Sequence, residues 1–232
     1  MHRLNTGQIF IMSFFGVWSE RLKINTKVYG AALLFVIALF AIEGTSANAG
    51  GNSPGKFIEI LGQRAVDVLS AKENVDFSKR EEAFRKLLVD GFHMPTISRF
   101  VVGRYWRSAN EKQRNDYKEI FVDFITRVYA ARFNSYKGEV FEVVQVLEEQ
   151  ESNDTIVRTQ IKRPSGGAPI GVDYRVRKIS DSYKVVDVNV EGISMLHTHR
   201  VEFASVINRK GFDGFLKMLK DRVNTPISDI DS

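Results

Sequence analysis

Apolar residues keep helical spacing from about residue 57 to about 133, alternate with polar ones up to about 190, and then return to helical spacing. Ser53-Pro54 supplies an N-cap and a proline at the first helical position, and Phe57, Ile60, Leu61, Ala65, Val68 and Leu69 follow on one face. Ser78 with Glu81 forms a capping-box pattern ahead of Phe84, Leu87 and Leu88. Pro95 opens a third predicted helix, with Ile97, Phe100, Val101 and Tyr105 expected on one face. Ser108 with Glu111 repeats the box before the longest predicted helix, roughly 109–133. Its stripe of Tyr117, Ile120, Phe121, Phe124, Ile125 and Val128 is wide, and Tyr129 and Phe133 extend it.

From Gly138 the period becomes 2. Segment 140–147 is apolar on both faces, so alternation alone does not orient it. After the Asn153-Asp154 turn, Thr155, Val157, Thr159 and Ile161 share one face. Beyond the loop at Pro164–Gly167, Ile170, Val172, Tyr174 and Val176 alternate with Gly171, Asp173, Arg175 and Arg177. A further turn at 180–182 leads to Val186, Val188 and Val190, alternating with Asp187 and Asn189. Four strands with short connections predict an antiparallel meander, and its apolar face needs a cover. After Gly192 two helices are expected, about 198–209 and 213–223, parted by Gly211. The predicted fold is α+β: a curved four-stranded antiparallel sheet covered on one face by N- and C-terminal helices, with a pocket between.

One stretch stands outside this pattern. Arg21, Lys23 and Lys27 precede an uncharged 15-residue apolar run, Val28 to Ile42, followed by Ala47-Asn48-Ala49. A basic flank, a short apolar core and an Ala-x-Ala site are the parts of a secretory signal peptide. The run falls short of the ~20 residues a spanning helix needs, although an uncleaved anchor is the alternative reading. Cleavage after Ala49 is therefore expected, with residues 1–49 a signal peptide plus upstream extension and 50–232 a single mature domain in the periplasm. The formal charge of +5 drops to +3 without residues 1–49, a mildly basic domain with no dense Lys/Arg block to suggest nucleic acid. Cysteine is absent, which removes disulfides, thiol catalysis and thiolate metal sites.

Candidate chemistry is sparse. His197-Thr-His199 is a close histidine pair without further nearby ligands and is expected at the surface or at a helix cap. Asp173 and Asp187 alternate onto the polar strand face, away from any pocket that would need a general base. No nucleophile elbow, P-loop or dinucleotide fingerprint appears, so no enzyme, cofactor or metal is expected. Phenylalanine is abundant instead, 17 of 232 residues, which fits either a filled core or an apolar cavity.

Several ordered segments carry a resemblance. Gly103-Arg-Tyr-Trp-Arg-Ser-Ala109, Tyr129-Ala130, Tyr136-x-Gly138, Val172-Asp-Tyr-Arg-Val-Arg177, Lys184 through Ser194, and Phe203 through Gly211-Phe-Asp-Gly214 lie in sequence. In these the chain resembles the MlaC family of periplasmic phospholipid-binding proteins, also described as toluene-tolerance auxiliary components of an ABC transport system. Tyr183 stands where a tryptophan is common in that family, and His93 lies in a variable stretch. The resemblance implies a carrier that shuttles phospholipid between an outer-membrane lipoprotein complex and the substrate-binding subunit of an inner-membrane ABC transporter, maintaining outer-membrane lipid asymmetry. A periplasmic enzyme acting on an apolar substrate in the same kind of pocket, or a scaffold with a solid core, would share the sequence pattern.

For a carrier, acyl-chain contacts are expected from inward strand residues Val157, Ile161, Val172, Tyr174, Val176, Val186 and Val188. The helices are expected to add Phe100, Val101, Tyr105, Phe121, Phe124 and Ile125; plain core packing makes the same demand on each of these positions. Arg104, Arg107, Arg175 and Arg177 are candidates for headgroup or partner contact, and Gly192 with residues 193–195 is expected to act as a hinge for lipid entry.

Overall fold

The computed structural model describes residues 53–70, 76–130, 136–149 and 152–225. The predicted signal segment with its cleavage point, and the Phe133 end of the long helix, lie outside them. Helix α1 (Pro54–Ser70) starts as predicted, with Ser53 Oγ accepting from Lys56 N–H at 3.2 Å. Helix α2 (Phe77–Gly91) is capped by Asp76 rather than Ser78: one carboxylate oxygen accepts from Ser78 N–H at 3.3 Å and the other from its hydroxyl at 2.8 Å. Helix α3 (Met94–Val102) ends at Gly103, and Tyr105–Ser108 forms a separate turn, α4. Tyr105 therefore does not continue the α3 face. Helix α5 (Glu111–Ala130) carries its reciprocal box two residues later than expected. Asn110 Oδ1 accepts from Gln113 N–H at 2.8 Å and Gln113 Oε1 from Asn110 N–H at 3.0 Å, while Ser108 donates to the Tyr105 carbonyl.

The sheet comprises β1 (Val140–Glu148), β2 (Asp154–Lys162), β3 (Ile170–Ile179), β4 (Ser182–Val190) and β5 (Ile193–Ser194), antiparallel and in that order. The expected four strands are present; the two-residue β5 adds a fifth by folding back on Asn189 and Val190. Of the residues expected to hinge, Gly192 to Ser194 form a tight hairpin and Met195 opens helix α6 (Met195–Asn224), which Ser194 caps. That helix joins the two expected ones across Gly211, whose backbone (φ 68°, ψ 175°) breaks the helical path.

Register decides what alternation left open in β1. Phe141 pairs with Ile161 and Val146 with Val157, with a bulge at Val144 between them, so Phe141 and Val146 share the inner face. A second bulge lets Val185 and Val186 both be buried in β4. Helix α1 sits low over β1 because Gly62 lies against the Phe141 ring, where a Cβ would come within 2.9 Å of Cε1. Helices α2, α3 and α6 line β4, and His93 N–H donates to the Val185 carbonyl at 2.9 Å. Helix α5 lies on α2, α3 and α6 as a further layer. Among the described residues, no helix is long and apolar enough to cross a membrane.

Candidate functional site

The seven predicted strand residues Val157, Ile161, Val172, Tyr174, Val176, Val186 and Val188 are all buried. Ile170 on β3 and Val185 and Val190 on β4 are buried in the same strands, and Phe141 on β1, all outside the predicted set. Phe141 stands edge-on to Tyr174 with ring centroids 6.1 Å apart. Thr159 is tolerated on this face because its hydroxyl donates to the Val172 carbonyl at 2.7 Å and leaves no polar demand. Burial pushes the Tyr174 phenol well above its ordinary range. The principal close approaches of helix backbone to the sheet are at its two margins, α1 on β1 and β2, and α2, α3 and α6 on β4.

The predicted helix residues divide. Val101 is buried on α3. Phe121 and Phe124, with Ile125 beside them on α5, join an aromatic cluster between α5 and α6: Tyr117–Phe121 5.4 Å, Phe124–Phe203 5.8 Å and Phe203–Phe215 4.8 Å between centroids. Tyr117 anchors that layer by donating its hydroxyl to the Ser98 carbonyl at 3.0 Å. Phe100 points outward, 41% exposed, with the Arg200 guanidinium 4.9 Å over its ring. The reason is angular: α3 buries Ile97, Ser98, Val101 and Val102, which turns residues 99 and 100 to the far side. Tyr105 is half-buried and donates to Asn208 Oδ1 at 2.6 Å.

Of the four arginines, Arg175 and Arg177 lie on the outer sheet face with Asp154. Arg177 grips that carboxylate with two parallel bonds, Nε–Oδ1 2.6 Å and Nη2–Oδ2 2.8 Å, and Arg175 adds a bond to Glu149. These guanidiniums hold the Asp154 carboxyl below the usual range. Arg104 and Arg107 are exposed on the Gly103–Ala109 motif, whose role is a joint between helices. Gly103 takes φ 54° and a Cβ there would meet the Arg200 side chain at 2.9 Å. Arg114 Nε donates to the Trp106 carbonyl at 2.9 Å, and the Trp106 ring carries Arg114 and Lys118 within 5.8 Å.

Strand alternation missed one buried polar pair because it lies on a helix. His199, expected at the surface or at a cap, is only 5% exposed, beside Phe203, with Nδ1 3.6 Å from Glu202 Oε2. Burial raises the Glu202 carboxyl, against the opposing pull of His199. The pair belongs to the helical layer. His197 is exposed, with its N–H on Ser194 Oγ at 3.1 Å. Asp187 is a clamp: its carboxylate accepts from Val188 N–H at 2.7 Å and from the Ser194 hydroxyl at 2.8 Å. No group of three or more potential metal ligands occurs among the described residues.

Fold and interior together define an α+β protein organised around an apolar face of a one-sided sheet. The chain belongs to the MlaC family, whose model, described as MlaC protein, matches residues 61–221. It is 24% identical over 213 residues to the intermembrane phospholipid transport system binding protein MlaC of Haemophilus influenzae, covering 88% of this chain and 97% of that one. The fold also matches a solved phospholipid-binding protein of Ralstonia solanacearum, in complex with a phospholipid, at a TM-score of 0.59 and 23% identity. That match covers 72% of this chain and 95% of the other.

Proposed function

We propose that the chain is a periplasmic phospholipid carrier that holds acyl chains against the inner face of the sheet. One observation carries the reading: a buried face across β2, β3 and β4 that is apolar apart from Thr159, whose hydroxyl is satisfied by the Val172 carbonyl, and that helix backbone approaches closely mainly at its margins. At about 0.8 kcal/mol per CH₂, two chains of ~15 methylenes lose on the order of 24 kcal/mol in water. A continuous apolar lining offsets most of that, so exchange with a membrane is nearly balanced and can run in either direction. Val157, Ile161, Val172, Tyr174, Val176 and Val101 are the tail contacts in this reading, joined by Phe141. The headgroup stays near solvent, because burying its charge without partners is costly.

The Haemophilus relative's name and the phospholipid in the Ralstonia neighbour support the ligand class. By the same reading the donor and acceptor are an outer-membrane lipoprotein complex and an inner-membrane ABC transporter, and the traffic maintains outer-membrane lipid asymmetry. Native mass spectrometry of the purified protein, followed by organic extraction, tests the carrier. A stoichiometric diacyl lipid is expected; a clean apo mass with no uptake from added vesicles would sink the proposal.

A further inference from the structure

The joint between α3, α4 and α6 gathers four arginines that hold no carboxylate. Arg64, Arg85, Arg158 and Arg177 each hold a carboxylate, as do Lys86 and Lys162. Among the described residues, Arg99, Arg104, Arg107 and Arg200 have no ion-pair partner. Two of them are laid over aromatic rings instead: Arg200 on Phe100, and Arg104 4.9 Å over Tyr105. Contacts link the group, since Arg200 closes against Gly103 and Arg104 Nη2 donates to the Tyr105 hydroxyl at 2.8 Å. Exposed apolar side chains adjoin these charges: Phe100, 41% exposed under Arg200, and Val201, 57% exposed and next to Arg200 along α6.

The geometry points to a docking surface for the headgroup layer of an anionic phospholipid membrane. Guanidiniums suit phosphate, an aromatic ring suits the boundary between headgroup and tail, and Val201 adds apolar area beside them. An acidic protein face would satisfy the charges but gives no reason for Phe100 and Val201 to stand exposed beside them. Docking here would bring the protein to a bilayer without using the sheet interior, so the inference stands apart from lipid carriage.

Flotation of the purified protein with vesicles of phosphatidylcholine, alone or with about a third phosphatidylglycerol, tests the surface. Binding to the anionic vesicles is expected, weakening as salt rises, with none to phosphatidylcholine alone. R99Q/R107Q should lose about 25-fold in partitioning, at about fivefold per cation removed. K86Q/K162Q, with the same net charge on α2 and β2, should stay close to the unmodified protein. Thermal melts verify that both variants fold. Equal partitioning of the two pairs, or no vesicle binding by the unmodified protein, overturns the surface. A protein that carries lipid but does not float would refute docking and leave the carrier reading standing; one that floats without cargo would do the reverse.

Discussion

Replacing Asp154 with alanine tests whether the outer-face arginines belong to the fold or to a ligand. The carboxylate is 4% exposed, held by two short bonds from Arg177 and approached by Arg175 at 3.7 Å. Breaking a fully buried ion pair costs about 3–5 kcal/mol. Here Arg177 is 41% exposed and can turn to water, and Arg175 retains Glu149, so the loss should be nearer to about 2 kcal/mol. For a domain of this size that is about 4–8 °C in Tm at neutral pH. The pH dependence carries a sign. The folded Asp154 carboxyl lies below its unfolded value, so its contribution is complete above about 3.9 and is lost as pH falls through the lower folded value. The Tm gap between the two proteins should therefore be full at pH 7 and close on acidification. A gap under about 1 °C at pH 7, or one that persists in strong acid, would refute the argument.

Other expectations follow from single positions. Val172→Phe adds a ring to the inner face: if lipid shares that space, lipid per protein falls while the Tm of delipidated protein barely moves, whereas a solid core would lose about 1–3 kcal/mol to overpacking. Gly103→Ala forces a side chain onto φ 54° and into Arg200, and should lower stability by about 1–2 kcal/mol in urea titration. Glu202→Gln should raise Tm at pH 7 and leave it unchanged near pH 4. Burial lifts that carboxyl, so the folded state is favoured below the unfolded value and loses stability as pH rises; an unchanged Tm at pH 7 would count against it.

The succession of elements and the sidedness of β3 were legible in the chain, since Ile170, Val172, Tyr174 and Val176 repeat at the spacing of a strand and bury together on one face. The family was legible too, through motifs such as Gly103–Ala109 whose structural role the chain did not reveal. Capping was legible in kind but not in place: several Ser, Asp and Asn residues compete near each helix start, and Asp76 and Asn110 won. That Phe141 faces inward needed strand pairing, because β1 is apolar on both sides and register with Ile161 breaks the tie. Tertiary packing also separated Phe121 and Phe124, which pack between two helices, from the sheet face, and turned Phe100 to solvent. Periodicity tells which residues share a face. What covers that face, and which distant carboxylate meets which arginine, is fixed by where the elements come to rest.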